Sequence, residues 1–338
     1  MSDRIQINYI YRNIRSGYYS IHKVFRPVEE SLAVAHDVRH METPCFRANP
    51  WSVLVNMLWM FFHRKRHVVF HVTGAFGYLV LPLWGCLTVL TVHDLSTLQI
   101  EGRKWKKAYL RKLWFTWPLC LATQITCISE TTRRALLKEF PFLSDDKVTT
   151  IYNPLSPEYI YSPKQFNQDC PVVLHIGTTP NKNLQRVCRA LSGISCRLVI
   201  VGKLSQQDIC DLKDNNLDYI NKVGISDVEM VQEYRNADII SFPSLYEGFG
   251  MPVIEGQATG RVVLTSRIEP IEEVSGGAVC YVNPQSVDDI RVGFLRIISD
   301  SPYREKLIAG GKQNVRRFEQ TNIVSSYMNI YTSVLKEQ

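Results

Sequence analysis

Ser244-Leu245-Tyr246-Glu247-Gly248-Phe249-Gly250-Met251-Pro252-Val253-Ile254-Glu255-Gly256 is the stretch that decides the fold. An apolar run, Ala237-Asp238-Ile239-Ile240-Ser241-Phe242, leads into it and predicts a buried strand. Gly248 and Gly250 permit a tight turn with close backbone approach. Pro252 suits the first turn of a helix, and Gly260 suits its end. The string therefore predicts a strand, a glycine loop and a helix N-terminus. The free N–H groups of such a terminus attract anions, phosphates above all. Glu247 stands at the loop mouth and Glu255 about a turn inside the helix. Both can accept hydrogen bonds from the hydroxyls of one ligand.

A second segment has the same logic. Ile176-Gly177-Thr178-Thr179-Pro180-Asn181-Lys182-Asn183-Leu184 follows an expected strand, Pro171 to Ile176, and opens an expected helix, Leu184 to Leu191. Gly177 lets a phosphate approach, and Lys182 supplies a countercharge. Around these segments, strands and helices alternate along the chain. Strands are expected at Ile5 to Tyr11, Val68 to Val72, Leu87 to Val92, Gln124 to Ile128, Lys147 to Ile151, Arg197 to Val201, Val262 to Thr265 and Val279 to Val282. Helices are expected at Tyr18 to Ala35, Trp51 to Phe62, Trp105 to Leu121, Ser129 to Glu139, Asp227 to Asn236, Val287 to Ile298, Tyr303 to Phe318 and Ile323 to Glu337. Such alternation implies parallel sheets with right-handed crossovers, an α/β architecture. Asn153-Pro154-Leu155-Ser156-Pro157 breaks the pattern and marks a linker. With 338 residues, two domains are expected. Residues 1–155 form the first and 156–318 the second.

Composition narrows the class. Hydrophobic residues at 45% and charged residues at 21% indicate a folded globular chain. The formal charge of +7 suits anionic partners: nucleotide diphosphates, lipid phosphates or a membrane surface. No nucleic-acid module is evident. The N-terminus lacks an apolar signal region, and nine cysteines lie without close pairs, which favours a reducing, cytoplasmic compartment. Val72 to Val92 carries no charge and is long enough to span a bilayer, but Gly74, Gly77, Pro82 and Gly85 break it. It is read as buried elements of an α/β domain.

The Glu247 string resembles the Glu-x7-Glu motif of retaining glycosyltransferases of family 4. With Phe242-Pro243-Ser244 before it and Gly260 after it, the match is specific. The resemblance implies a GT-B fold, two Rossmann-like domains facing a central cleft. The last helix, 319–338, would pack back on the first domain. It implies that Glu247 contacts the donor sugar, that Glu255 contacts its ribose, and that Gly248, Phe249, Gly250 and Met251 hold its sugar and diphosphate. The Gly177–Lys182 segment resembles the family's strand–Gly–Lys-Asn-Leu segment, whose lysine binds the diphosphate. Many members carry Arg directly after that glycine. Here Thr178 stands there, and Lys203 or Arg186 is left to supply the charge. Thr91-Val92-His93-Asp94-Leu95 resembles the segment whose histidine lies near the donor sugar. His93 can donate to a sugar hydroxyl or accept from one. Gly17, in the place of the family's glycine-rich first loop, can offer an N–H to the diphosphate. Read alone, Glu247 also fits a loop cap, Lys182 a solvated helix start, and His93 a core histidine bonded to backbone.

The resemblance implies retaining transfer of a hexosyl group from a nucleotide-diphosphate-sugar to a sugar hydroxyl. The acceptor class is a sugar or lipid-linked oligosaccharide in bacterial surface-polysaccharide assembly, lipopolysaccharide O-antigen or capsule. A GT-B nucleotide-sugar epimerase, or a catalytically silent carbohydrate-binding or scaffold protein, would share the fold. No metal is expected. His36/His40 and His63/His67 are i,i+4 pairs without a third and fourth ligand at a recognised spacing, and no Asp-x-Asp motif is convincing. Two basic–aromatic stretches, Trp51 to His67 and Arg103 to Trp114, fit either an anionic membrane surface or core helices with a solvated basic face. The first reading makes the protein peripheral on the inner face of the cytoplasmic membrane.

Overall fold

The chain divides into two compact units, Met1–Ser156 with Phe318–Gln338, and Pro157–Arg317. The computed structural model describes residues 4–336 apart from 14, 16–18, 75, 96, 97 and 99–103.

Unit 1 runs β1 (Gln6–Tyr11), α1 (Tyr19–Ala33), β2 (Asp37–Glu42), α2 (Pro50–His63), β3 (Val69–Val72), β4 (Leu87–Val92), α3 (Lys104–Arg111), α4 (Trp117–Leu121), β5 (Gln124–Cys127), α5 (Glu130–Glu139) and β6 (Val148–Thr150). Its six strands are parallel in the order β2-β1-β3-β4-β5-β6. Every residue of β4 is buried, as expected of a strand covered on both faces. The charge-free run before it is the end of β3 and a 3-10 helix, Gly77–Leu83. Among the described residues no helix is long and apolar enough to cross a membrane.

The helix expected across 105–121 is interrupted by a π-helical turn, Lys112–Thr116, in which the Trp117 N–H reaches back to the Lys112 carbonyl. Pro118 is the physical reason, since it has no N–H to give the Trp114 carbonyl four residues earlier. That carbonyl faces Gly77, where an added Cβ would lie 2.4 Å from it.

Unit 2 runs β7 (Val172–Ile176), α6 (Leu184–Leu191), β8 (Arg197–Val201), α7 (Gln206–Asp214), β9 (Asp218–Lys222), α8 (Asp227–Asn236), β10 (Ile239–Phe242), α9 (Met251–Thr259), β11 (Val262–Ser266), α10 (Ile271–Ser275), β12 (Cys280–Val282), α11 (Val287–Ser299) and α12 (Ser301–Asn314). The six parallel strands lie in the order β12-β11-β10-β7-β8-β9. Read from β9, this is the doubly wound order of dinucleotide-binding domains. The winding reverses between β7 and β10, so the loops after those two strands flank the crevice where such sheets bind ligand.

Four elements are absent from the sequence reading, one of them the five-residue α10. β2 and β9 are edge strands with mixed polar residues on both faces, so neither shows an apolar run. α7 is announced by a capping box, Ser205 with Asp208, that the reading passed over.

The last helix, α13 (Gln320–Lys336), returns to unit 1. Its Ile323, Tyr327, Tyr331 and Val334 pack with Ile7, Tyr9, Val69 and Val89. A buried chain of hydrogen bonds fixes its register. Tyr331 Oη lies 2.7 Å from Tyr9 Oη and 2.7 Å from His71 Nδ1. His71 Nε2 then meets Thr91 Oγ1, which meets Thr126 Oγ1, each at 2.7 Å. Burial lowers the His71 pKa to about 3, so the ring is neutral in this chain.

Candidate active site

The site is built on the reversal point of the unit 2 sheet. After β7, Gly177 takes φ +89°, in the left-handed region, and an added Cβ would lie 2.8 Å from Lys182 Cγ. Glycine is needed there for both reasons. The Lys182 side chain can then lie across the end of the strand. A 3-10 turn, Pro180–Lys182, is followed by Asn183 at φ +66°, a conformation asparagine tolerates better than most residues. After β10, Gly250 at φ +102° sits at the N-cap of α9, and Pro252 falls in its first turn. The α9 amides therefore open on the same crevice edge.

Hydrogen bonds fasten the two loops together. Leu245 N donates to the Asn181 carbonyl at 2.8 Å, and Asn181 Nδ2 donates to the Tyr246 carbonyl at 3.3 Å. Asn183 Nδ2 donates to the carbonyls of Pro243 at 3.0 Å and Pro284 at 2.7 Å. Across this seam Lys182 Nζ donates to Glu247 Oε1 at 2.6 Å. The two side chains are only 21% and 12% exposed, so water screens the pair weakly. The ammonium also lies 4.6 Å from the centre of the Phe242 ring. An ammonium has three donors, so Lys182 can keep Glu247 and still reach an anion.

The structure thus brings together Gly177, Lys182, Glu247 and the α9 N-terminus at Gly250 and Met251. Phe249 is buried beside them. Glu255 lies one turn into α9 and is held by different partners. Tyr234 Oη, on α8, donates to its Oε2 at 2.5 Å. Burial, and then the Glu255 charge, push the Tyr234 phenol well above its ordinary pKa, and Tyr159 shifts the same way for the same causes. Both phenols stay protonated beside the carboxylate. Thr178 turns its hydroxyl to the Lys203 carbonyl at 2.7 Å, and Arg186 donates to Asn183 Oδ1 at 2.9 Å.

His93 follows β4 in unit 1. Its Nε2 lies 2.7 Å from the Thr73 carbonyl, which can only accept, so Nε2 carries the hydrogen. Burial holds the pKa below the ordinary value. The neutral ring therefore presents Nδ1 as an acceptor, which narrows the expected donate-or-accept role to accepting. Gly17 lies outside the described residues.

The i,i+4 histidine pairs do not act as pairs. His36 takes a bond from Ile5 N at 3.4 Å, whereas His40 faces Glu29 and Glu42. His63 Nδ1 bonds the Trp59 carbonyl at 2.7 Å.

Asn181, Asn183 and Tyr234 escaped the sequence reading as site residues. Asn183 had a usable signal, an asparagine where the chain must turn into a helix. Tyr234 had none, because its partner is on another helix.

A family model for glycosyl transferases group 1 matches residues 160–314, and one for glycosyltransferase family 4 matches residues 21–159. O-antigen chain mannosyltransferase B of Escherichia coli is 26% identical over 268 residues, 72% of this chain and 69% of that one. O-antigen chain mannosyltransferase RfbU of Salmonella typhimurium is 25% identical over 210 residues, 58% of this chain and 56% of that one. Among solved structures, sucrose-phosphate synthase of Thermosynechococcus elongatus gives a TM-score of 0.81 at 17% identity, covering 99% of this chain and 100% of that one. Anabaena HepE, in complex with UDP and glucose, gives 0.72 at 14% identity over 98% and 100%. The chain belongs to the group 1, family 4 glycosyltransferases and has their two-domain GT-B fold.

Proposed function

We propose that the protein is a retaining hexosyltransferase that takes its sugar from a nucleotide-diphosphate donor and passes it to a sugar hydroxyl in bacterial surface-polysaccharide assembly. The observation that carries this reading is the Lys182–Glu247 pair at the reversal point of the unit 2 sheet, beside the α9 N-terminus. The lysine and the α9 amides supply positive charge where a leaving diphosphate needs it. Glu247 supplies negative charge where the transferring sugar becomes positive. The bond from the anomeric carbon to the phosphate oxygen breaks, and a bond to the acceptor oxygen forms on the same face. The acceptor proton passes to the departing diphosphate oxygen. Glu255 accepts from ribose hydroxyls, and His93 Nδ1 accepts from a sugar hydroxyl. Lysine and backbone amides do the charge compensation at the diphosphate, so this step needs no divalent metal.

O-antigen mannosyltransferases among the relatives support the polysaccharide setting and put nucleotide-diphosphate-mannose first among donors to try. The test is a panel of nucleotide-diphosphate hexoses with lipid-linked and soluble acceptors, read by nucleotide release and by NMR of the product's anomeric centre. Transfer with the donor's anomeric configuration kept is expected. An inverted product would overturn retention, interconversion of the donor alone would mark an epimerase, and neither binding nor release would leave a scaffold.

The acceptor's lipid anchor is matched by a feature of α2. Trp51, Leu54, Leu58, Phe61 and Phe62 stand exposed along one stripe of the helix, while Val53, Asn56 and Met60 face the core. The stripe ends in Arg64-Lys65-Arg66-His67, all exposed, with Arg64 lying 4.0 Å over the Phe61 ring. Apolar side chains rimmed by cations suit the surface of an anionic bilayer. The second basic–aromatic stretch is different in its described part. Leu113 is buried, Trp114 packs on Tyr78, and Arg111 pairs with Glu139.

A further inference from the structure

We propose that His22, His40 and Glu42 form a three-ligand site for a divalent transition metal of the zinc class, at the carboxyl ends of β1 and β2 with a fourth position open. One ligand atom from each of the three lies within 4.8 Å of the others. His40 Nε2 and Glu42 Oε1 are 3.5 Å apart. Two ligands on a tetrahedral zinc at bond lengths near 2 Å stand about 3.3 Å apart, so this edge is already close to formed. The two edges to His22 are no longer than 4.8 Å.

The hydrogen bonds decide which nitrogens are available. His22 Nε2 lies 3.1 Å from the Arg12 carbonyl, which can only accept, so Nε2 carries the hydrogen and Nδ1 holds the lone pair. His40 Nδ1 lies 3.2 Å from Glu29 Oε2, and a carboxylate likewise accepts, so Nε2 of His40 is the one turned to the metal. The result is a carboxylate–histidine–metal relay of the kind that fixes the tautomer and orientation of a metal-binding imidazole. Tyr11 Oη donates to the other oxygen of Glu29 and locks the relay. The Tyr11 ring also lies 4.4 Å from the His22 ring and 4.3 Å from the His40 ring, with small interplanar angles, so both imidazoles are braced.

Charge fits as well. Two neutral imidazoles, Glu42 at the site and Glu29 behind it balance a 2+ ion. Two nitrogens and one oxygen select zinc-like metals over calcium or magnesium. The ligands come from α1 and from the edge strand β2, so a bound ion would tie that strand to the helix. The sequence could not show this, because the ligands are 18 and 2 residues apart and converge only through the fold.

The test uses the full chain, stripped with EDTA and then given zinc alone. After desalting, the wild type should retain one equivalent of zinc, melt at a higher temperature than the stripped protein, and with cobalt in place of zinc show the absorption of a low-coordinate ion. His22→Gln, His40→Gln and Glu42→Gln should lose the retained zinc and the shift while melting like the stripped wild type in EDTA. Glu29→Gln keeps all three ligands and should weaken zinc roughly 10- to 100-fold. If a ligand variant fails to fold, Glu29→Gln carries the test. Wild-type protein that retains no zinc, or variants that retain as much as the wild type through their cysteines, would overturn the proposal.

Discussion

Lys182 and Glu247 come from loops 65 residues apart and meet at 2.6 Å. Taking Lys182 away removes the proposed charge-assisted contact to the diphosphate and strands a largely buried carboxylate. Lys182→Ala should therefore weaken donor binding by about 1.5–3 kcal/mol, roughly 10- to 150-fold in Kd, and lower the melting temperature. Calorimetric titration with the nucleoside diphosphate checks the first and a thermal melt the second. Unchanged affinity in a folded variant would make the lysine a structural partner of Glu247 and nothing more. The two carboxylates should separate kinetically. Under the proposed role, Glu255, held by Tyr234, would contact ribose in ground and transition states alike, so Glu255→Ala should act mainly on KM. Glu247 is proposed to meet charge that grows as the bond breaks, so Glu247→Ala should act on kcat. The reverse pattern would exchange the roles. Gly177, Lys182 and Glu247 were legible in the sequence because their backbone needs leave marks: a positive φ, a turn before a helix, a proline after a glycine. The Tyr234–Glu255 bond was not, since it joins α8 to α9 with no local signal.

Helices and strands with one clear environment were read almost to the residue. α6 and α8 have the boundaries their apolar periodicity predicts, and β7, β10 and β11 follow from continuous apolar runs. Elements with two environments were harder. β2 and β9 lie at sheet edges and carry polar side chains on both faces. The 105–121 segment has helical composition throughout, yet Pro118 forces a π turn inside it. α2 is apolar on both of its long faces, and only the structure shows which one remains exposed. That exposed stripe predicts binding to vesicles of anionic lipid, with release as salt rises, because surface charge attraction is screened. Replacing Trp51 and Phe62 by Ser should abolish sedimentation with the vesicles and leave the melt unchanged. A wild type that fails to sediment at low salt would return α2 to an ordinary surface helix. α13 makes a separate claim. Tyr331→Phe leaves Tyr9 Oη and His71 Nδ1 buried without their shared partner, at a cost of about 1–3 kcal/mol. The unfolding midpoint in urea should fall accordingly, and an unchanged midpoint would show that apolar packing alone fixes the helix.

Two parallel sheets, joined at Ser156/Pro157 and again at Arg317/Phe318, give the molecule its two units. The division of labour in the proposal follows from where the chemistry-bearing residues fall. Unit 2 holds the charged seam for the donor. Unit 1 holds His93, the apolar–basic stripe and the histidine–glutamate cluster. Chelation should accordingly leave donor binding and transfer intact while stripping metal from unit 1, a separation that activity assays and melts in EDTA would read together. Complete loss of transfer, restored by magnesium or manganese, would place a metal at the diphosphate instead of Lys182. The account's central claim is that sugar transfer runs on the Glu247 loop. The direct measurement is nucleotide release from the preferred nucleotide-diphosphate-hexose, at saturating donor and acceptor, by wild type and by Glu247→Ala of equal melting temperature. The account predicts rapid release coupled to glycosylated acceptor in the wild type and release reduced by orders of magnitude in the variant. Equal turnover by the two proteins would contradict it.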